Sequence, residues 1–367
     1  MPVDVYPEFK AIGPGIGGDQ PVGGKIKRTV SILEIDTDAG VTGVCLGAGQ
    51  SESVKDFARL LLGRNPLSTD YLWDLVYRRN LGKTPGSFMA AMAAVDIALW
   101  DLKSKHFGSP VCELLGGPAR TEIPVYAMMR DYSKEPEDAA QTIREHVEHG
   151  YRAFKWYPRW GPLDGEEGKR KTIALVEAIR EAGGPDIDIM LDCWKTWDVP
   201  YTVEMADRLQ DYRLRWIEEP VFQYQFEQYR EIRRQVRVPI SGGEQLYALW
   251  EFRKLLEMEC VDIAQPDPVW CGGITQTVKV IQLAQAFDTP VVMHVVQLPV
   301  NLQITAAMPP PVVPMVEFPT FNAKYGARYF TKDAPFPENG VLRPPLHPGI
   351  FVLDEDRIEE KETVFTI

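Results

Sequence analysis

The sequence predicts an α/β protein built around a parallel (β/α) barrel. Two observations carry this prediction: eight strand-like runs alternate with helical segments between residues 123 and 318, and acidic residues end three successive runs. Asp192, Glu218 and Glu244 stand 26 residues apart, the length of one strand plus its crossover helix. Because consecutive strands of a parallel barrel end side by side, we expect these three carboxylates to converge.

The residues ahead of the barrel pattern predict a hairpin followed by helices. Residues 28–36 alternate like a strand, Asp38-Ala39-Gly40 predicts a turn, and residues 41–46 predict the returning strand. Residues 52–107 have a mostly helical pattern. A Gly-rich stretch within residues 11–24 matches no phosphate-binding spacing, and we expect a mobile loop or lid there.

From Ile123 onward the pattern repeats strand, loop and helix. Eight strands with seven intervening helices are typical of a (β/α) barrel. After Phe318 no eighth barrel helix is evident, and we expect a tail with a short strand, residues 351–353, that crosses back to the N-terminal region. The candidate strands are residues 123–129, 151–157, 186–192, 214–218, 238–243, 261–265, 289–294 and 313–318, and the candidate helices include residues 136–149, 167–183, 200–210, 223–235 and 246–257.

Composition and charge exclude several classes of protein. The 367 residues carry a net charge of −12 without a dominant basic patch, which argues against a nucleic-acid partner. We expect no membrane span, because no charge-free apolar run is long enough. The five cysteines are odd in number and lack CxxC spacing, so they are interpreted as reduced thiols. With no signal peptide evident at the N-terminus, a cytoplasmic location is expected.

The three strand-end carboxylates predict a metal site. Left unpaired, they would repel one another and raise one another's pKa values. A hard divalent cation with oxygen ligands relieves this repulsion, and Mg²⁺ is the predicted ion. Asp192, Glu218 and Glu244 are therefore the predicted ligands. The competing interpretation is three surface acids at loop edges, which are common in an acidic protein.

A second pair of residues predicts acid–base chemistry. Asp267 follows the sixth candidate strand and His294 ends the seventh. A carboxylate beside an imidazole fixes its tautomer and stabilises its protonated form, so His294 is the candidate base. The competing interpretation is a histidine that only packs at a strand end.

Further polar side chains stand at strand ends where they could meet a substrate. Lys155 and Tyr157 share one face of the second strand, and Lys155 is expected to bind a substrate carboxylate or to act as a base. Glu317, at the end of strand eight, is a candidate proton donor or hydrogen-bond acceptor, or else part of a structural salt bridge. Arg130 and Arg159 are candidates for contacts to distal hydroxyls, or surface charges.

Several motifs resemble those of one known family. They are Ala90–Leu102 followed by Leu114-Leu115-Gly116-Gly117, Trp216-Ile217-Glu218-Glu219-Pro220, Gly242-Gly243-Glu244, and Asp267 with Gly272-Gly273 and His294. Over nearly its whole length the chain resembles the enolase superfamily, mandelate racemase subgroup. That resemblance implies an α+β capping domain, a (β/α)7β modified TIM barrel, Mg²⁺ as cofactor and a homo-oligomer. It places the capping domain at residues 1–122, completed by 330–367, and the barrel at 123–329, with capping loops around 13–24 and 40–48 closing over the substrate.

One departure from the racemase pattern bears on the reaction. That pattern has Lys-x-Lys on strand two, where this chain has Lys155-Trp156-Tyr157, so a second base is missing. One base, His294, suffices for a dehydratase, because it can remove the α-proton and then help the β-hydroxyl leave. The segments Trp160–Gly165 and Met190–Trp194 are also similar to rhamnonate dehydratases, and Trp194 is a candidate substrate-binding residue. However, the capping-loop histidine expected of that enzyme is absent.

These features predict a Mg²⁺-dependent acid-sugar dehydratase that converts an aldonate or aldarate to a 2-keto-3-deoxy acid. A cycloisomerase, or a racemase or epimerase acting on a related acid or lactone, is the alternative within the same chemistry. A third alternative is a barrel that binds metal and ligand without turnover.

Overall fold

The computed structural model describes residues 31–47, 51–82, 86–320, 331–354 and 356. These residues form two compact units. The Lys155 unit comprises Tyr126–Gly243 and Lys254–Ile263. The His294 unit comprises the described residues up to Val125, Glu244–Arg253 and the described residues from Ala264 onward. The predicted Gly-rich loop around residues 13–24 lies outside the described residues.

The N-terminal part of the His294 unit is the predicted hairpin followed by helices. Strands β1 (Ile32–Asp36) and β2 (Thr42–Leu46) pair in antiparallel register, with Glu34 opposite Val44. At Gly43 the hairpin approaches a helix so closely that an added Cβ would lie 2.2 Å from the carbonyl oxygen of Ala98. The helices that follow are α1 (Ser51–Leu61), α2 (Thr69–Arg79), α3 (Ser87–Phe107) and α4 (Val111–Leu114).

The Lys155 unit contains the parallel strands of the predicted barrel pattern. Hydrogen-bonded neighbours follow the chain order from β3 to β8, and helices separate most successive strands. Apolar runs such as Ile189-Met190-Leu191 are buried throughout, as expected for parallel strands covered on both faces. The elements are β3 (Ile123–Met128), α5 (Pro136–Glu148), β4 (Ala153–Trp156), α6 (Gly165–Gly183), β5 (Asp188–Asp192), α7 (Val199–Arg208), β6 (Trp216–Glu218), α8 (Phe226–Gln235), β7 (Ile240–Gly242), α9 (Ala248–Glu257) and β8 (Ile263–Ala264), of which β3, α9 and β8 cross the unit boundaries.

The first residues of α5 and α7 show how the sequence starts a helix after a loop. Pro136 stands in the first turn of α5, where a missing backbone N–H costs nothing. Asp198 precedes α7 and accepts a hydrogen bond from the N–H of Tyr201 at 2.9 Å. Such a cap satisfies one of the free donors of a helix start and contributes about 1 kcal/mol.

The C-terminal part of the His294 unit differs from the predicted pattern at one strand. Residues 289–294 form no regular strand; Val291 makes a single parallel bridge with Ala264. The N–H of Val292 donates to Ala264, and that of Val291 donates to Val312. Pro290 has no backbone N–H, so it cannot donate a hydrogen bond to a neighbouring strand, and this keeps the strand pairing of residues 289–294 short. The remaining elements are α10 (Pro268–Cys271), α11 (Ile274–Ala286), α12 (Leu298–Ala307), β9 (Val316–Pro319) and β10 (Val341–Leu342).

The His294 unit has its own apolar core. Phe57, Trp73, Phe88, Met92 and Leu99 pack in one buried cluster contributed by α1, α2 and α3. The C-terminal tail contacts α3, where the N–H groups of Gly349 and Ile350 donate to the side chains of Ser104 and Asp101. Leu353 makes one antiparallel bridge with Thr331 where the short tail strand was predicted. Among the helices in the described ranges, none is long and apolar enough to cross a membrane.

Candidate active site

Two of the predicted metal ligands stand side by side in the Lys155 unit. Asp192 ends β5 and Glu218 ends β6, and the parallel register places them directly opposite each other. Both carboxylates are buried, with 3% and 1% of the side chain exposed. The indole N–H of Trp216 donates to Glu218 at 3.0 Å, and the backbone N–H of Trp194 donates to Asp192 at 3.0 Å. The orientation of each carboxylate is therefore fixed by a residue two positions away in the sequence.

Lys155 brings one positive charge to these two carboxylates. Its ammonium nitrogen lies 2.5 Å from Oε1 of Glu218 and 3.2 Å from Oδ2 of Asp192. Buried charges are stable only when paired and hydrogen-bonded, so the three side chains depend on one another. The arrangement shows that Asp192 and Glu218 already direct oxygens at one cation, which is the donor chemistry that Mg²⁺ requires.

Aromatic rings lie around the Lys155 ammonium. The Tyr157 ring centroid is 5.6 Å away, and that of Tyr126 is 5.7 Å away. Such contacts stabilise a cation through the negative face of the ring. Tyr157 was a candidate from the sequence, whereas Tyr126 was not, because the strand pattern of β3 indicated only a buried residue.

The predicted substrate-contacting arginines lie after β3 and β4 in the same unit. Arg130 contacts Asp131 at 3.3 Å, and its carbonyl accepts a hydrogen bond from Lys134 at 2.7 Å. Burial, aided by the charge of Arg159, lowers the pKa of Lys134 to about 8. Lys134 was not a candidate from the sequence, since it stands in a loop without a periodic pattern.

The loops after β5 and β6 have a backbone conformation that is unusual for residues other than glycine. Trp194, Lys195 and Glu219 have φ angles of 43°, 67° and 41°. Each such residue costs on the order of 1–3 kcal/mol and persists only where its surroundings impose it. Lys195 and Glu219 also form a buried ion pair. The sequence carried no signal that Lys195 would be the partner of Glu219.

In the His294 unit, the predicted histidine and aspartate lie in direct contact. Nδ1 of His294 is 2.9 Å from Oδ2 of Asp267. Asp267 is fully buried and caps α10 by accepting a hydrogen bond from the N–H of Val269 at 2.7 Å. It also accepts a hydrogen bond from the N–H of Val296 at 2.8 Å, beyond His294 in the sequence. Burial raises the pKa of the Asp267 carboxyl, and the bond from His294 opposes this shift. The backbone thus fixes the carboxylate, which in turn orients the imidazole.

Two further candidate residues, Glu244 and Glu317, lie near His294 in its unit. Nε2 of His294 lies 3.3 Å from Oε2 of Glu244. Burial lowers the pKa of His294, but the charges of Glu244, Glu317 and Asp267 and the hydrogen bond to Asp267 outweigh it and raise the pKa to about 10. Glu317 is buried on β9, and its carboxylate accepts a hydrogen bond from the N–H of Val295 at 3.0 Å. In this arrangement Glu317 anchors the segment that carries His294.

Gln297 links the His294 segment to the hairpin of the same unit. It stands at the start of α12, and its amide donates to the carbonyl of Leu46 at 2.6 Å. Leu46 is the last residue of β2. This contact holds part of the predicted capping loop, residues 40–48. Gln297 and Leu46 are so far apart in the sequence that no sequence pattern predicts their contact.

A buried carboxyl on α3 fixes the start of α11. Asp96 accepts hydrogen bonds from the N–H and the hydroxyl of Thr275, at 2.9 Å and 2.5 Å. Gly273, with φ 101°, leaves room for it, since an added Cβ would lie 2.3 Å from the Asp96 carboxylate. Burial raises the pKa of Asp96 to about 7.

The predicted site residues thus fall into two groups, one in each unit. Asp192, Glu218, Lys155 and Tyr157 lie together in the Lys155 unit, and His294, Asp267, Glu244 and Glu317 lie together in the His294 unit. Within the part of the chain that the structure describes, no three His, Cys, Asp or Glu side chains are grouped closely enough to hold a metal ion as they stand.

Two family descriptions match most of the chain. "Enolase C-terminal domain-like" matches residues 138–356, and "Mandelate racemase / muconate lactonizing enzyme, N-terminal domain" matches residues 21–116. The second match agrees with the α+β region that the hairpin and helices form. The first begins within α5 and covers the later strands and helices of the predicted barrel, with all of its candidate residues except Arg130.

Two curated relatives align with most of the length of this chain and with most of their own length. The L-rhamnonate dehydratase of Saccharopolyspora erythraea is 34% identical over 303 residues, which are 80% of this chain and 72% of the relative. The D-galactarolactone cycloisomerase of Agrobacterium fabrum is 30% identical over 354 residues, which are 91% of each. The similar proteins are therefore enzymes, one a dehydratase and one a cycloisomerase.

A solved structure has the same fold with a metal present. The crystal structure of a racemase from Streptomyces coelicolor A3(2) with bound magnesium superposes with a TM-score of 0.80. It is 26% identical and covers 89% of this chain and 90% of its own. The predicted fold class, a (β/α)7β modified TIM barrel with an α+β capping domain, is confirmed by the strands, helices and family matches together.

Proposed function

The chain belongs to the enolase superfamily, mandelate racemase subgroup, and from this membership we propose that it is a Mg²⁺-dependent acid-sugar dehydratase. The substrate is an aldonate or aldarate. The enzyme removes the proton α to the carboxylate and eliminates the β-hydroxyl as water, and the enol that results becomes a 2-keto-3-deoxy acid. The observation that carries this proposal is the contact between His294 and the fully buried Asp267, 2.9 Å apart.

The proposed metal ligands are Asp192, Glu218 and Glu244. Two of them direct oxygens at a single cationic atom, Lys155 Nζ, so their donor set suits a hard divalent ion. Glu244 follows Gly243 directly after β7, as the strand-end pattern requires. When bound, Mg²⁺ supplies stabilisation of the negative charge that develops on the substrate carboxylate, and it offsets the charge of its ligands.

His294 is the proposed proton carrier. A cation held by Glu244 would offset the carboxylate charge that raises the pKa of His294 in this structure. The neutral imidazole would then accept the α-proton at Nε2, and the resulting imidazolium donates that proton to the departing hydroxyl. Asp267 accepts from Nδ1 and holds the ring in the required tautomer. One residue on one face of the substrate therefore serves both steps, in agreement with Tyr157 standing where a racemase has a second lysine.

The remaining candidates bind and orient the substrate in this proposal. Lys155 pairs with the substrate carboxylate, and Tyr157 donates a hydrogen bond near it. Arg130, Arg159 and Trp194 contact the distal hydroxyls. Glu317 acts through the Val295 backbone, which keeps His294 in place. A cytoplasmic homo-oligomer remains the expected state of the protein.

A cycloisomerase is the second candidate function, favoured by the relative that is 30% identical over 91% of the chain. It uses the same removal of an α-proton, but the leaving group is a ring oxygen of a lactone. Its product therefore keeps the mass of its substrate, whereas a dehydratase product lacks one water. Two-base racemisation is less favoured, because this chain has Tyr157 where the racemase pattern has its second lysine.

The test is a screen of the purified protein with Mg²⁺ against aldonates, aldarates and their lactones. Formation of a 2-keto-3-deoxy acid with loss of water supports the dehydratase. Isomerisation of a lactone at constant mass supports the cycloisomerase instead. If no compound reacts and none exchanges its α-proton in deuterated water, the result favours a barrel that binds metal and ligand without turnover. A His294→Asn variant, assayed in parallel, excludes a contaminating activity.

A further inference from the structure

Lys195 and Glu219 have left-handed backbone conformations just beyond two of the proposed metal ligands. Lys195, with φ 67°, is three positions after Asp192, and Glu219, with φ 41°, follows Glu218. The N–H of Lys195 donates to the carbonyl of Glu219 at 2.7 Å. Because neither residue is glycine, these conformations need contacts that impose them. The two loops are therefore joined by their backbones at a strained point.

The side chains of the same two residues form a buried ion pair. Only 5% of the Lys195 side chain and 1% of the Glu219 side chain are exposed, so water cannot substitute for either partner. The Lys195 ammonium also lies 5.5 Å from the ring centroid of Trp194. Trp194 in turn donates its backbone N–H to Asp192. Lys195 thus contacts, directly or through one neighbour, both loops that carry the proposed ligands.

We infer that the Lys195–Glu219 pair positions Asp192 and Glu218 for metal binding by holding the loops after β5 and β6 in one conformation. The inference rests on the proposed metal site and adds two residues to it that do not touch the ion. If the pair is broken, the remaining buried charge must reach water, and the left-handed turn beside Glu218 relaxes. Residues that orient metal ligands typically change metal affinity by about 10–100-fold when they are replaced.

The test measures Mn²⁺ binding, since Mn²⁺ takes the same oxygen ligands as Mg²⁺ and its free concentration is read by electron paramagnetic resonance. The variants are Lys195→Met and the double variant Lys195→Met/Glu219→Leu, in which the pair is replaced by apolar groups. Replacing a buried ion pair in this way is often neutral for stability. Lys169→Met is the matched control, because Lys169 forms an ion pair with Glu204 near the surface of the same unit.

We expect Lys195→Met to weaken Mn²⁺ binding about 10–100-fold and to lower the thermal midpoint. The double variant should regain the thermal midpoint but not the affinity, and the control should bind like the wild type. Wild-type affinity in the double variant would overturn the inference, since the pair would then serve folding alone. If neither variant folds, Glu219→Gln decides: weaker binding supports positioning and unchanged binding contradicts it. A wild-type protein that binds no Mn²⁺ would instead overturn the proposed metal site, and this inference with it.

Discussion

The ammonium nitrogen of Lys155 lies 2.5 Å from Oε1 of Glu218, and neither side chain is accessible to solvent. The same ammonium is 3.2 Å from Asp192, so one positive charge faces two negative ones. The group has an excess negative charge in a buried environment, and a further cation would relieve it. This relationship connects the folding of the Lys155 unit to its proposed metal site.

Replacement of Lys155 should therefore affect stability as well as activity. We predict that Lys155→Met abolishes turnover and lowers the free energy of unfolding by about 3–5 kcal/mol, because two buried carboxylates lose their partner. Saturating Mg²⁺ should restore part of that loss, which urea denaturation with and without Mg²⁺ would measure. Lys169→Met, which breaks a more exposed pair, should cost less than about 1 kcal/mol. Equal losses in the two variants would contradict the role assigned to Lys155.

Replacement of His294 should separate chemistry from metal binding. We predict that His294→Asn abolishes turnover and α-proton exchange while Mg²⁺ affinity stays near that of the wild type. Calorimetry with Mg²⁺ and exchange in deuterated water would measure the two effects. Asp267→Asn should lower the rate by about 10²–10⁴-fold, since it removes the acceptor that orients the imidazole. Activity that persists in His294→Asn would exclude the one-base mechanism.

Tyr157 tests whether a second acid or base takes part. Its ring centroid lies 5.6 Å from the Lys155 ammonium, and removal of its hydroxyl leaves this contact in place. We predict that Tyr157→Phe lowers kcat by at most about 100-fold, as expected for the loss of one hydrogen-bond donor. Complete loss of turnover, with Mg²⁺ affinity retained, would show that Tyr157 is an essential acid or base.

Replacement of Gln297 would show whether the hairpin β1–β2 contributes to substrate binding. Because its amide holds the carbonyl of Leu46, we predict that Gln297→Ala raises KM several-fold and changes kcat little. Gln303 is the matched control on the same helix, where its amide donates to Pro345 at 2.7 Å. Gln303→Ala should lower stability without changing KM. Steady-state kinetics of both variants would measure the difference, and an unchanged KM in Gln297→Ala would contradict the prediction.

Replacement of Asp96 should change how the free energy of unfolding depends on pH. Burial, aided by the charge of Asp70, raises the pKa of Asp96 from 3.8 to about 7. Between these values the unfolded chain releases the proton and the folded chain keeps it, so this group makes the free energy of unfolding fall as the pH rises. Asp96→Asn lacks this effect. Its stability relative to the wild type should increase between pH 4 and pH 8 by up to about 4 kcal/mol.

Urea denaturation of both proteins across this pH range would measure the Asp96 effect. Thr275 donates to Asp96 through its N–H and hydroxyl, so the asparagine must keep at least one of these bonds for the comparison to hold. A difference between the two proteins that does not change with pH would show that Asp96 has an ordinary pKa in the folded state.

Most secondary structure could be predicted because burial and periodicity are local properties of the chain. The hairpin β1–β2 and the helices α5 to α9 lie within a few residues of their predicted positions. Residues 289–294 were predicted less well, since an apolar run shows that a segment is buried but not how many ladder hydrogen bonds it makes. Pro290 and the single bridge at Val291 decide that point.

The sequence by itself determined the fold class and the positions of the chemical groups. Strand and helix periods alternate from Ile123 onward, and equal spacing puts Asp192 opposite Glu218 once the strands are parallel. The same reasoning put His294 and Asp267 at the ends of adjacent strands, where the structure brings them together. A repeating strand-and-helix pattern predicts these positions, because the ends of parallel strands align with one another whatever conformation the loops adopt.

Only the tertiary structure decided which side chains meet beyond the strand ends. The pairing of Lys195 with Glu219 depends on left-handed turns at residues that are not glycine. The bond from Gln297 to Leu46 and the burial of Asp96 against Thr275 join segments far apart in the sequence. The physical reason is that periodicity reports which face of an element is buried, whereas loop conformation and side-chain packing decide which groups come within hydrogen-bonding distance.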